Sequence, residues 1–458
     1  MIKSHYLQSA FKRCCLTLLF LATLNIKSFG GVFIIDNLGY EILSLEDKTC
    51  MVTGSLCSGA VIIPDKIKYN DTDVSVVKIK DEAFDFPSIT SLTIPASIVD
   101  TGTWTCYQNE HLRKVVFQEG FNEQPTVIGD YAFYDCRNLE TVILSSNIGS
   151  IGQYAFGNCV ELSSINLGVT SVSEIGESAF SFCTKLEGIV LPPSLQTIKD
   201  WAFYRTAITE VVGGESVTTI GKGVFAACEY LKDIKWEWHR KVIPEYTYSG
   251  CSSLTDIIIP STIEEIKSGA FCGIDMNSFK LEDCEQPVKF STTENVIANN
   301  GIHHIYLGRP IICDKNQKKP CLAIGNKGIL ELSKNISELS SEVVGPYENL
   351  SILISHNLTP PTIPEMTIDA YAGLKVRVPA EALEAYKQAP VWKNFWNIKA
   401  IEDESGISNI ECDDDDSFQV YDTAGILIDA SCTSEKLQHL PHGVYIVVKH
   451  DKRMKIKI

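Results

Sequence analysis

The chain contains no C-x-x-C pair and no His/Cys cluster at zinc-ligand spacing, although 16 of its 458 residues are cysteine. Structural zinc sites draw their ligands from such closely spaced pairs, so zinc binding is excluded as the purpose of these cysteines. Also missing are G-x-S-x-G, H-E-x-x-H, G-x-x-x-x-G-K-[ST] and G-x-G-x-x-G. That leaves no local arrangement for acyl transfer, metalloproteolysis or phosphate cradling. No catalytic residue, metal or cofactor is assigned. There is no basic run either: 40 Lys and Arg stand against 57 Asp and Glu, a formal charge of −17. A chain of that charge repels polyphosphate and anionic lipid, which argues against nucleic acid as a partner.

No apolar run reaches the ~20 residues of a membrane span. The nearest is "CCLTLLFLATLNI" (14–26), preceded by Lys12-Arg13 and followed by "SFG" (28–30). A basic start, a short apolar stretch and small residues before a cut are the layout of a secretory signal peptide, with cleavage expected after Gly30. Residues 1–30 hold Lys3, Lys12, Arg13 and Lys27 and no acid, so the mature chain would stand at about −21. It is expected to be exported, without a transmembrane span.

What the chain has in abundance is one phrase. "IGDYAFYDC" (128–136), "IGQYAFGNC" (151–159) and "IGESAFSFC" (175–183) repeat nearly the same letters. Aligned on the aromatic anchor, the copies fall at Phe84, Cys106, Phe133, Phe156, Phe180, Phe203, Phe225, Tyr248 and Phe271, with gaps of 22 to 27 residues. After the anchor comes a second pattern: Cys159, Leu162, Ile165 and Leu167 match Cys136, Leu139, Val142 and Leu144, and again Cys183, Leu186, Ile189 and Leu191. A period in the twenties carrying L-x-x-I-x-L is the signature of a leucine-rich repeat solenoid. The I-x-L segment alternates as a short strand, and one turn cannot bury its own apolar edge, whereas stacked turns can. The prolines of "IPAS" (94–97), "LPPS" (191–194) and "IPST" (259–262) remove a backbone donor and turn the chain out of the sheet. The expected fold is an α/β-type repeat solenoid dominated by short parallel strands.

The cysteine column lies three residues after each anchor, where a small buried side chain is wanted, so it reads as core thiols. Cys50 and Cys57, Cys272 and Cys284, and Cys313 and Cys321 are near pairs outside that column. An oxidising export route makes them the places for any disulfide.

With "IGxxAFxxC" and the strand signature in hand, the chain resembles the BspA-like leucine-rich repeat surface proteins, built on treponemal-type repeats of about 23 residues. The stretch "GAVIIPDKIKYNDTDVSVVKIKDEAF" (59–84) resembles that family's lead-in, and "IYLGRPI" (305–311), "LAIGNKGILEL" (322–332) and "LSILISHNLTPPTI" (350–363) its less regular late coils. "VRVPAEALEAYKQAPVWKNFWNIKAI" (376–401) resembles its closing helical segment, with Ala382, Leu383, Tyr386, Trp392 and Phe395 on an apolar face. The domains expected are thus a signal peptide (1–30), a lead-in (31–75), a solenoid (76–401) with a helical cap near 379–397, an acidic linker (402–417) and a tail (418–458). In the tail, "FQVYDTAGILIDA" (418–430) and "LPHGVYIVVKHDKRMKIKI" (440–458) read as strands joined by hairpin turns. Tyr421, Asp422, Gly425, Leu440, Gly443, Tyr445, Ile446 and Val447 make it similar to a type IX secretion sorting domain, a small β-sandwich. The run "IDASCTSEK" departs from that family's usual Gly-Arg pair.

The resemblance implies adhesion or interaction at the surface of a Gram-negative bacterium or in its secretions, with an extracellular protein or glycan as ligand and the outer-membrane secretion machinery contacting 418–458. A glycan-binding accessory protein or an enzyme scaffolded on the repeats is the alternative. For a binding face, Thr93, Val116, Ile143, Asn166, Val190, Val212, Lys235 and Ile258 lie between buried strand positions and point out. Two readings stay open: a protein-contact strip, or β-branched neighbours that only stabilise the sheet. In "WEWHRK" (236–241), Trp238, His239 and Arg240 sit at the rim as either binding anchors or edge filling. The candidate binding set is Asn166, Lys235, Trp238, His239 and Arg240.

Overall fold

The computed structural model describes residues 32–55, 58–84, 89–120, 122–232, 241–291, 297–313, 320–401, 418–422, 427–432, 444–449 and 452–457. The expected signal peptide and acidic linker lie outside these residues.

The described chain winds into a solenoid of parallel strands with few helices, as the repeat requires. It begins with a five-stranded sheet in the order Val32–Ile35, Leu38–Ser44, Thr49–Ser55, Thr72–Ile79, Lys66–Tyr69, in which only the pairing of Thr49–Ser55 with Thr72–Ile79 is parallel. From there each coil contributes to two stacks. The first runs Gly59–Ile62, Ile89–Ile94, Lys114–Phe117, Thr141–Ile143, Ser164–Ile165, all parallel. It resumes with Gly188–Leu191 beside Glu210–Gly213, then continues from Asp256–Ile259 through six more strands to Asn397–Ala400. The second stack is Thr126–Ile128, Ile148–Ile151, Glu174–Ile175, Thr197–Ile198, Thr219–Ile220. The sequence pattern foresaw one strand per turn; the second strand is the "TI" or "EI" before each corner. At Asn166 the expected strand is cut to Ser164–Ile165, because the chain tightens into a 3-10 turn over Leu167–Val169.

The "xAFxxC" phrase is the corner that joins second stack to first. The residues two before and two after each anchor have positive φ: Tyr131 and Asp135, Tyr154 and Asn158, Ser178 and Phe182, Trp201 and Arg205 all lie between +51° and +61°. That conformation costs a non-glycine residue about 1 kcal/mol, and what offsets it is direction. Alternating left-handed residues turn every second amide along the solenoid axis. Tyr154, Phe156 and Asn158 donate to Glu177, Ala179 and Ser181 of the next coil at 2.7–2.8 Å. Inside the corner the anchors stack: Phe133, Phe156, Phe180, Phe203 and Phe225 follow one another with ring centroids 5.3–5.5 Å apart and planes within 9°. Tyr248 and Phe271 continue the column.

The recurring cysteines are buried, and their role is more specific than filling space. Cys159, Cys183, Cys228 and Cys251 each donate through Sγ to the carbonyl of the preceding coil's anchor, Phe133, Phe156, Phe203 and Phe225, at 3.1–3.2 Å. Cys136 does the same to Cys106, which stands at an anchor position. Where the phrase has Thr206 instead, its hydroxyl turns back to Phe203 and meets Cys228 Sγ at 3.2 Å. Burial pushes these thiols up, Cys136 to about 12, so they stay protonated donors. Outside the column, Cys313 and Cys321 are joined in a disulfide, while Cys272 and Cys284 are free; Cys57 lies outside the described residues.

Two helices occur among the described residues, Ile368–Gly373 and Leu383–Gln388. Tyr386 of the second helix and Trp392 and Phe395 just after it are buried, and the Tyr386 hydroxyl lies 2.6 Å from Ser355 Oγ. The chain then returns to the sheet as Asn397–Ala400, so this helical segment is the outer side of a last coil. In the tail, the strands Leu427–Cys432, Phe418–Asp422, Val444–Lys449 and Lys452–Lys457 form, in that order, one antiparallel sheet. The second layer expected of a sandwich is not among the described residues.

The glycine of "IG" tests the stacking. A Cβ on Gly176 would lie 2.5 Å from the carbonyl carbon of Gly152 and 2.6 Å from the nitrogen of Gln153, backbone that cannot move aside. Gly176→Ala is expected to cost about 2–4 kcal/mol in urea unfolding, against about 1 kcal/mol for Cys159→Ala. In the native chain a thiol reagent should reach Cys159 only on unfolding; rapid labelling would contradict the buried donor.

Candidate functional site: the open sheet face

The first stack has one side on the core and one side open. Its outward positions form a single row whose register the strand pairings set: Ile62, Thr93, Val116 and Ile143 are successive partners. Val190 and Val212 pair further along, and Ile258 leads into Lys280, Tyr306, Glu331, Ile354, Arg377 and Lys399. The row is aliphatic at one end and charged at the other. Ile62, Val190, Val212 and Ile258, each on the end strand of its sheet, are 67%, 52%, 49% and 63% exposed.

Of the residues singled out from sequence, Asn166 lies beside this row and is exposed, but its side chain is engaged. Its carboxamide accepts from the Leu144 amide at 2.7 Å and donates to the Leu144 carbonyl at 2.9 Å. It thus completes the coil contact where the strand is cut short, a structural task that the spacing did not reveal. Lys235, Trp238, His239 and Arg240 lie outside the described residues.

The charged end holds a cluster that the sequence did not suggest, because its members come from the irregular late coils and are 23 to 27 residues apart. Glu331 accepts from His304 Nε2 at 3.0 Å on one oxygen and from His356 Nε2 at 2.7 Å on the other. One strand nearer the start, the Tyr306 hydroxyl donates to Asp283 at 2.8 Å, and Lys280 Nζ sits 4.9 Å from the Tyr306 ring centre. The two imidazoles hold the Glu331 carboxyl down at about 2, and Glu331 in turn raises His356. The usable signal was the outward position of each late I-x-L: Lys280, Tyr306 and Glu331 occupy it in turn. Among the described residues, no set of three or more His, Cys, Asp or Glu is arranged to hold a metal ion.

Six copies of the repeat described as the BspA type leucine rich repeat region match the chain, over residues 65–125, 105–232 and 214–295. These spans join into 65–295, just over half of the sequence. The chain belongs to the BspA-type leucine-rich repeat family. Solved structures with similar folds include a leucine-rich cell surface protein from Faecalibacterium prausnitzii (19% identity, 82% of this chain, 96% of that chain, TM-score 0.42). A leucine-rich repeat protein from Bacteroides ovatus gives 20% identity over 81% of this chain and 100% of its own, TM-score 0.47. The pneumococcal vaccine antigen PcpA gives 18% over 82% and 100%, TM-score 0.45. No curated protein matches the chain.

In this BspA-type solenoid a second exposed feature lies at the corners, where the left-handed residues are often aromatic. Trp104, Tyr131 and Tyr154 stack at 4.2 and 5.1 Å with planes within 12°, and Tyr107 stacks on Tyr134 at 5.8 Å. Rings stacked this way have spent their faces on one another, so the ladder staples the coils and leaves mainly ring edges to solvent. The open sheet, whose outward side chains have no layer above them among the described residues, is the stronger candidate for binding.

Glu331 gives a pH test of the cluster. Its depressed carboxyl contributes stability that is present above the unfolded value near 4.5 and is lost as pH falls toward 2. The raised His356 adds stability that is present at acidic to neutral pH and is lost as pH rises through its folded value. Thermal melts should therefore show the wild type ahead of Glu331→Gln by about 1–2 kcal/mol between pH 4.5 and 6, with the gap closing on both sides. A gap independent of pH would refute the pairing.

Proposed function

We propose that this chain is an exported, surface-associated repeat protein that binds another macromolecule, foremost a protein, along its open sheet face and catalyses no reaction. The observation that carries this is the aliphatic half of the outward row: four β-branched residues about half to two-thirds exposed on a chain of charge −17. A strip of that kind contacts a partner, because solvent-facing strands with no such duty carry polar residues on the open side. The printed descriptions of the two relatives, a cell surface protein and a vaccine antigen, support the same placement. Export by residues 1–30 and delivery through 418–458, acting as a sorting domain on outer-membrane machinery, complete the reading. So do repeats of about 23 residues and an adhesive role toward a host, matrix or neighbouring cell. Trp238 and Arg240, close to Lys235 in the sequence, are proposed as additional anchors.

The test separates binding from sheet propensity. Threonine keeps the β-branch that a strand favours and removes the apolar end. The purified chain is screened against extracellular matrix proteins and glycans, and the ligand retained is measured again with Val190→Thr/Val212→Thr. The double variant should melt within about 0.5 kcal/mol of wild type yet bind about 5- to 30-fold more weakly. Unchanged affinity would sink the reading, and so would a reproducible turnover of any ligand that one point substitution removes.

A further inference from the structure

Beyond Ile258 the open face differs from the rest of the molecule in how its charges are used. On the earlier coils, five cations are matched across neighbouring turns: Lys78 with Asp100, Arg113 with Glu140, Lys185 with Glu161, Lys199 with Glu174 and Lys241 with Glu264, all at 2.5–2.7 Å. The outward cations of the late sheet are not matched in this way. Lys280, Arg377 and Lys399 stand on the outward row and Lys375 on the row beside it. None of the four has an ion-pair partner among the described residues. Lys280 rests on the Tyr306 ring, and Arg377 Nη1 donates only to the Val376 carbonyl, at 3.0 Å.

The anions of the same patch are already occupied. Asp256 accepts from Ser278, Asn277 and Thr255 at 2.6–2.9 Å. Asp283 accepts from Tyr306, and both oxygens of Glu331 are taken by imidazoles. The groups around those imidazoles are Lys280 and Asp283 from the preceding coil, Tyr306 on the strand of His304, Glu331 between them, and Lys375 and Arg377 from the following coil. Free cations beside committed anions make a surface that accepts carboxylates from outside, on a chain that is otherwise acidic. From the strand of Lys280 to that of Lys399 is five strand spacings, about 24 Å, the reach of about seven extended residues.

Resting on the reading of the open face as the binding face, we propose that its late half binds an acidic polypeptide segment lying across the strands, and that His356, paired with Glu331, strengthens this binding in acid. With Glu331 ionised throughout, protonating His356 takes that pair from net −1 to neutral. The pair then no longer opposes an incoming carboxylate beside the lysines and the arginine.

The probe is a fluorescein-labelled octapeptide with four glutamates alternating with serines, compared with its glutamine counterpart and with a heparin hexasaccharide at low ionic strength, where a surface pair is least screened. The full chain should bind the acidic peptide and not the glutamine one, and about fivefold more tightly at pH 5.5 than at pH 8. Lys280→Ala/Arg377→Ala should weaken the peptide about tenfold at both pH values. His356→Gln, verified as folded by its melt, should abolish the pH step. Equal binding of both peptides, a pH step that survives the histidine change, or a preference for the hexasaccharide would each overturn the proposal. If the ligand found by the screen is weakened by Val190→Thr/Val212→Thr but by neither late-sheet variant, only this inference falls. If none of these variants moves it, the open-face reading falls as well.

Discussion

The fold depends on one constraint: a coil of about two dozen residues has an apolar edge that only the next coil can cover, so every contact must recur in register. The corner is where that register is enforced. Left-handed residues two before and two after the anchor aim the amides of Tyr154, Phe156 and Asn158 along the axis. The stacked anchor rings fill the interior, and the thiol of Cys159 donates to a carbonyl of the coil before. Each part needs the others. The positive φ would be a cost without the inter-coil bonds, and an alanine in place of the cysteine would leave an anchor carbonyl without its thiol donor.

The open face follows from this regularity. Because the coils cannot slip, the outward side chains of successive strands stand in line, and a change of residue type at one repeat position becomes a change of surface along the molecule. Ile62, Val116, Ile143, Val190, Val212 and Ile258 make that position mostly aliphatic; Lys280, Tyr306, Glu331, Arg377 and Lys399 make it mostly polar or charged. The inward side chains of both stacks and the corners form the buried core, so the open row is free to vary. A solenoid of this family can therefore be refitted to a new partner one position at a time.

The parts of this structure that were legible in the sequence are those written in apolar spacing: the parallel stack, the buried anchors and the cysteine column, because identical burial calls for identical letters. The left-handed corner was not legible. Tyr131, Tyr154 and Trp201 are not residues that choose positive φ by themselves; the bonds to the next coil impose it. The bonds of the Asn166 carboxamide were not legible for a related reason, since they replace a strand pairing with Leu144 that only the turn at Leu167–Val169 makes necessary. The Glu331 cluster escaped notice because its residues belong to coils of irregular length, where the offset from one strand to the next cannot be counted without the register.

The account rests on the corner bonds, and amide hydrogen exchange of the native chain addresses them most directly. If the corner locks the coils, the amides of Phe133, Phe156, Phe180, Phe203 and Phe225 exchange as one block, with the same opening free energy as the neighbouring strands and close to that of global unfolding. If those amides exchange as fast as a solvated loop while the strands of both stacks stay protected, the sheet alone holds the solenoid and the account is wrong.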